Sequence, residues 1–141
     1  MIAYVDASVL LRVALRQPDS LPKLREIDRG ISSALILTEC LRSLDRLRLR
    51  ASLADVEVAE RRATILSLIA SLEIVEIDAA VLDRAGQPMP TELGTLDAIH
   101  LATALLWSES THANLVMATH DSALALGARA HGLTVAGVSR M

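Results

Sequence analysis

Asp6 ends the apolar run Ile2, Ala3, Tyr4, Val5 and is followed two positions later by Ser8. A carboxylate at the C-terminal tip of a buried strand stands where open α/β sheets bind their ligands. The same residues also suit a helix cap, since Val9, Leu10 and Val13 begin a helical pattern at once and short polar side chains cap helices routinely. Asp121 repeats the arrangement after the apolar segment Leu115–Thr119, and there Thr119 or Asp121 is the candidate cap. Asp97 has different surroundings, because Leu96, Ala98, Ile99, Leu101 and Ala102 make its helix hydrophobic nearly all round. Such a helix is a buried one, and an ionised Asp inside it is costly unless paired or bound to a cation. The competing account places Asp97 in a first turn after an N-cap at Thr95, where the helix dipole favours negative charge. Glu39 lies on the polar side of its helix, and a pair with Arg42 at i+3 accounts for it adequately when it is taken alone.

Taken together, these residues describe one chemistry. Two strand-tip carboxylates, one in an apolar helix and one on a helix just past a strand can converge at one end of a sheet. Without a counter-charge such a group would repel itself and raise its own pKa values. A hard divalent cation relieves this, since Mg²⁺ takes oxygen ligands from carboxylates, waters and substrate phosphate. The reaction that suits the site is metal-assisted attack of water on a phosphodiester, with Ser8 and Thr119 orienting carboxylates or waters from behind. Histidine offers less. His100 follows Asp97 by three residues on one helix face, but His112, His120 and His131 show no ligand spacing, and all four read as structural or exposed.

Bulk properties narrow the alternatives. At 141 residues the chain is long enough for one core, and with no Phe, one Trp and one Tyr that core must be aliphatic. No apolar run approaches the ~20 residues that cross a bilayer, and Asp6 interrupts the start where a signal peptide would stay apolar. The single Cys40 excludes an internal disulfide and fits a reducing compartment, so a cytoplasmic protein without a membrane association is expected. A net charge of −3 argues against a polyanionic partner. The clustering of Arg42, Arg46, Arg48, Arg50, Arg61 and Arg62 softens that objection, although such helices are commonly just solvated faces. Lys23 is the only lysine. A phosphatase of the haloacid-dehalogenase type needs a second Asp where Ser8 stands and a Lys near the site, and a phospho-receiver domain needs the same Lys. Both are disfavoured.

The elements that must position these residues alternate between strand and helix. Helical patterns cover about Ser8 to Gln17, stopped by Pro18, and a short stretch capped by Asp19 or Ser20, with Pro22 in its first turn and Leu21, Leu24 and Ile27 on one face. A strand at Ile31–Ala34 precedes a helix from about Leu35 to Arg50, whose apolar side is Leu37, Cys40, Leu41, Leu44 and Leu47. Ser52 with Asp55 resembles a capping box for a helix over about Leu53–Leu72, with an apolar stripe of Val56, Ala59, Ala63, Leu66 and Ala70 and a Glu57–Arg61 pair at i,i+4. Ile74–Ile77 reads as a strand, and Asp78 caps a helix ending at Gly86. A Pro- and Gly-containing loop fills Gln87–Gly94. A helix over Thr95–Trp107, a strand over Leu115–Thr119, a helix over Ser122–His131 and a last strand over Leu133–Val138 complete the chain. The alternation predicts a single three-layer α/β/α domain around a mostly parallel sheet.

Four segments in this order, Tyr4-Val5-Asp6-Ala7-Ser8, Leu37-Thr38-Glu39-Cys40-Leu41-Arg42, Thr95-Leu96-Asp97-Ala98-Ile99-His100-Leu101-Ala102-Thr103-Ala104 and Ala118-Thr119-His120-Asp121, resemble the PIN-domain ribonucleases. Within them the likeness is to the VapC toxins of toxin–antitoxin pairs, and it runs the length of the chain. The third segment is the most specific. The resemblance implies a PIN-like α/β/α fold over 1–141 and a Mg²⁺- or Mn²⁺-dependent endoribonuclease acting on RNA. It also implies homodimerisation and inhibition by a cognate VapB-type antitoxin. By position, Asp6, Glu39, Asp97 and Asp121 correspond to the family's acidic quartet, and Ser8 and Thr119 to its polar helpers. The fourth acidic site is the family's most variable, which leaves open whether Asp121 meets the metal directly or through water. The alternative is a PIN-like module that binds RNA or protein without cutting.

Overall fold

The structure is a computed structural model that describes residues 1–17 and 25–138. Its elements run β1 (Ile2–Val5), α1 (Ala7–Ala14), β2 (Arg29–Ser33), α2 (Leu35–Ala51), α3 (Asp55–Ala70), β3 (Glu73–Val75), α4 (Ala79–Ala85), α5 (Thr95–Thr111), β4 (Leu115–Ala118), α6 (Ser122–Ala130) and β5 (Thr134–Ala136). The strands form one sheet in the order β3-β2-β1-β4-β5, and every pairing is parallel. Parallel neighbours cannot be joined by a tight hairpin, so each connection carries helix back over a face of the sheet. From β1 the chain builds outward through β2 to β3, then returns to place β4 on the other side of β1. That reversal opens a crevice between the C-terminal ends of β1 and β4, the usual ligand position in such sheets.

Strand alternation divides the apolar residues between two cores. Ala3, Val5 and Ala118 pack with Val9 and Leu10 of α1, Cys40 and Leu44 of α2 and Ile65 of α3. Tyr4, Ile31, Leu115 and Met117 pack on the opposite side with Leu101, Ala104 and Leu105 of α5 and Leu124 and Ala128 of α6. The expected three-layer arrangement therefore holds, with a wholly parallel sheet.

Several local expectations need correction. α1 ends at Ala14 rather than Gln17. Pro18 and the helix expected from Asp19 or Ser20 through Pro22 and Leu24 lie outside the described residues. Ser52 makes no capping box. It closes α2 in a left-handed conformation (φ 49°), and the N-cap of α3 is Ala54, with no side-chain cap. The stripe expected to bury α3 faces outward, with Val56 64% and Leu66 42% exposed. Val58, Ile65, Leu68 and Ile69 pack inward instead. α3 is apolar on two sides, so periodicity alone could not choose between them. α5 continues four residues past Trp107 to Thr111, where His112 takes the left-handed turn.

Candidate active site

Register explains how Asp6 and Thr119 meet. Val5 pairs with Ala118 across the β1–β4 ladder, so the next residue of each strand emerges at the same edge. Asp6 N–H donates to the Ala118 carbonyl (3.0 Å), and Thr119 N–H donates to Ala136 of β5 (3.0 Å). Asp6 is 5% exposed and begins α1 as its N-cap. Its Oδ2 accepts hydrogen bonds from the Ser8 hydroxyl (2.7 Å) and the Thr119 hydroxyl (2.9 Å), with a longer approach from the Ser8 N–H (3.4 Å). Each hydroxyl is oriented in turn, since Ser8 Oγ accepts from the His120 N–H and Thr119 Oγ1 from the Asp121 N–H, both at 2.9 Å. Asp121 is the N-cap of α6, and its Oδ1 accepts from the Leu124 N–H (2.9 Å). Capping and site placement, rivals in the sequence, coincide at both strand tips.

Glu39 stands one turn into α2, and its Oε1 accepts from Nε2 of His100 on α5. His100 is fully buried, and its Nδ1 meets the Tyr4 hydroxyl at 2.6 Å. Burial, and after it the Asp6 charge, holds the Tyr4 phenol well above its ordinary pKa, so its proton is available to the imidazole. Burial opposes charge on His100, but the hydrogen bond and charge of Glu39, with Asp6 and Asp97 behind it, outweigh that and raise its pKa. Cys40 beside Glu39 is a neutral core thiol, pushed up to about 12 chiefly by burial.

Asp97 lies in the first turn of α5, whose N-cap is Gly94 rather than Thr95. It is half-buried, less enclosed than its apolar neighbours suggested. Its pKa nevertheless rises from 3.8 to about 6, through desolvation first, then the charges of Asp121, Asp6 and Glu39, against the opposing influence of His100. Asp6, Glu39, Asp97 and Asp121 line a single pocket of about 400 Å³, walled further by Thr38, Arg42 and Arg46. An adjoining groove of about 440 Å³ shares Ser8, Ser43, Arg46 and Asp121 and adds Arg12 and Arg50.

All six residues expected at the site are brought to this edge. Among the described residues, none of the four carboxylates forms an ion pair with Arg or Lys. The bland pairing of Glu39 with Arg42 is absent, because Arg42 turns to Asp45 (3.1 Å). Nor is any group of three or more His, Cys, Asp or Glu side chains already gathered as a metal cage, among the described residues. An open set of oxygens without an Arg or Lys partner among the described residues fits Mg²⁺, which binds through one or two carboxylates and keeps several waters. Sequence reasoning missed the involvement of His100 and Tyr4. Glu39 lies 61 residues from His100, beyond any local spacing rule. The available signal was that a lone Tyr in a buried strand needs a partner for its hydroxyl.

The PIN domain model matches residues 3–129. Ribonuclease VapC46 of Mycobacterium tuberculosis is 40% identical over 104 residues, covering 72% of this chain and 72% of that protein. The fold is similar to that of a toxin–antitoxin complex from Klebsiella pneumoniae, with a TM-score of 0.67 at 16% identity over 97% of this chain and 96% of that one. It is also similar to VapBC-5, a member of the VapBC family of toxin–antitoxin systems from Mycobacterium tuberculosis. There the TM-score is 0.61 at 20% identity, covering 98% of this chain and all of the other.

Proposed function

The chain belongs to the PIN-domain family, and from that membership we propose how it works. It is a VapC-type ribonuclease, the toxin of a VapBC pair, in which Asp6, Glu39, Asp97 and Asp121 hold Mg²⁺ or Mn²⁺ for the hydrolysis of RNA. The observation that carries this reading is the meeting of four carboxylates from separate parts of the fold in one pocket, with no Arg or Lys paired to any of them among the described residues. A divalent cation bound there supplies the positive charge that favours attack of water on a phosphodiester.

The chain's own residues do the rest. Ser8 and Thr119 fix Oδ2 of Asp6, and Oδ1 carries no hydrogen bond among the described residues. The α6 cap fixes one oxygen of Asp121 in the same way. Arg46 and Arg50 line the groove beside the site and pair with no carboxylate among the described residues, so they suit the backbone of a bound RNA. An antitoxin partner is supported by the toxin–antitoxin complexes that share the fold. A VapB-type inhibitor and a homodimer are the finer parts of the proposal. The outward apolar side of α3 supports the dimer, and sedimentation equilibrium checks it.

Purified protein is expected to cleave RNA with Mg²⁺ or Mn²⁺ and to stop in EDTA. Asp6→Asn and Asp97→Asn are expected to lose at least a hundredfold in rate, on the order seen when electrostatic stabilisation is removed. Cleavage that persists in both variants with chelator present overturns the mechanism. Metal-dependent cleavage by the wild type excludes a non-catalytic module.

A further inference from the structure

Three of the four carboxylates share a pattern in which one oxygen is held and the other carries no hydrogen bond among the described residues. Asp6 Oδ2 is held by two hydroxyls, and Asp121 Oδ1 by the first turn of α6. Asp97 is the exception, with no hydrogen bond to its carboxylate among the described residues. Glu39 has one more rotatable bond than the three aspartates, and no hydroxyl or helix cap holds it among the described residues. Its restraint comes from across the sheet edge, through a fully buried His100 that joins α5 to α2 and, through Tyr4, to β1.

Both imidazole nitrogens are engaged, and the Tyr4 ring packs edge-on against His100 at 5.8 Å between centroids. Turning the ring over would put carbon where each hydrogen bond now lies. Tyr4 Oη and Nδ1 share one hydrogen bond, and on the other side of the ring Nε2–H donates to Glu39 Oε1. A ring enclosed in this way has no nitrogen left for a cation. Partners behind a metal-binding group commonly set its orientation in this manner.

We propose that Tyr4 and His100 form a buried strut that holds one oxygen of Glu39 and presets the other for a divalent cation. His100 is therefore a positioning residue. The inference rests on the reading of Glu39 as a metal-holding group. A purely structural core pair would sustain folding without affecting the cation, and that is the distinction to test.

Calorimetric titration of the full chain with Mn²⁺ supplies the readout, with thermal unfolding measured alongside. His100→Leu keeps the volume but removes the donor, and is expected to weaken Mn²⁺ binding about tenfold or more, the usual scale for losing such a partner. His100→Gln restores an N–H near Glu39 and is expected to regain most of that loss. Tyr4→Phe is expected to give a smaller decrease, about threefold, because Glu39 keeps its direct partner. Wild-type Mn²⁺ affinity in folded His100→Leu, or equal loss in His100→Leu and His100→Gln, overturns the strut provided Glu39→Gln binds weakly. Unchanged binding in Glu39→Gln overturns the metal reading itself. Should His100→Leu fail to fold, nitrogen NMR of the wild type decides: Mg²⁺ is expected to shift the His100 Nε2–H signal. Amides of Asp6 and Asp97 that respond to Mg²⁺ while His100 stays unmoved overturn the proposal.

Discussion

Asp97 couples its charge to the stability of the whole chain. Its native pKa of about 6 lies above the ordinary 3.8, because burial and then Asp121, Asp6 and Glu39 disfavour the ionised form. Between those values the native state binds a proton that the unfolded chain has released, so its contribution to stability falls as pH rises through the window. Above about 6 the loss is complete. Subtracting the melting temperature of Asp97→Asn from that of the metal-free wild type at each pH is expected to give a difference that declines from about pH 4 to about pH 6 and then levels. Added Mn²⁺ is expected to restore the wild type at neutral pH and to do little for the variant. A difference that rises with pH contradicts the assignment. Asn caps helices about as well as Asp, so Asp6→Asn removes a charge while leaving the start of α1 intact. That makes it a cleaner probe of chemistry than an Ala substitution.

At the scale of elements, the loop after β5 bears directly on the site. Gly137 has φ +109°, and a Cβ there would lie 2.2 Å from the Thr119 carbonyl oxygen. Gly137→Ala is therefore expected to cost on the order of 2 kcal/mol or more, from a strained backbone and displacement of the chain at Thr119. Because Thr119 holds Asp6, RNA cleavage is expected to fall as well. Urea unfolding and a cleavage assay on the same preparation check both effects, and a fully stable, fully active variant refutes the coupling. The strand tips bearing Asp6 and Asp121 were legible because a short apolar run ending in a carboxylate is a local signal. The helix bearing Asp97 was legible because its apolar surface is nearly continuous. Ser52 misled because a Ser three residues before an acid suits a cap equally whether its backbone starts a helix or ends one. The outward face of α3 and the bond from His100 to Glu39 depend on which helix lies opposite, and no spacing within either segment contains that information.

Charge on the whole molecule is negative, yet its distribution leaves a basic approach to an acidic centre. Arg42 and Arg48 both turn to Asp45 (3.1 and 2.8 Å), whereas Arg46 and Arg50 line the groove leading from Asp121. Replacing Arg46 and Arg50 by Ala in the Asp97→Asn background is expected to weaken RNA binding. The slope of log affinity against log salt is expected to fall by roughly 1.4, about 0.7 per lost phosphate contact on a single strand. Fluorescence anisotropy over a salt series measures it, and an unchanged slope removes these residues from the RNA path. The central place of β1 between β2 and β4 also sets the order in which the proposed acidic centre can assemble. A chain emerging N-terminus first presents Asp6 early, but one side of β1 stays open until residues 115–118 arrive to pair with it. Thr119 and Asp121 come only after that. Synthesis itself therefore delays the meeting of the four carboxylates until the sheet is joined.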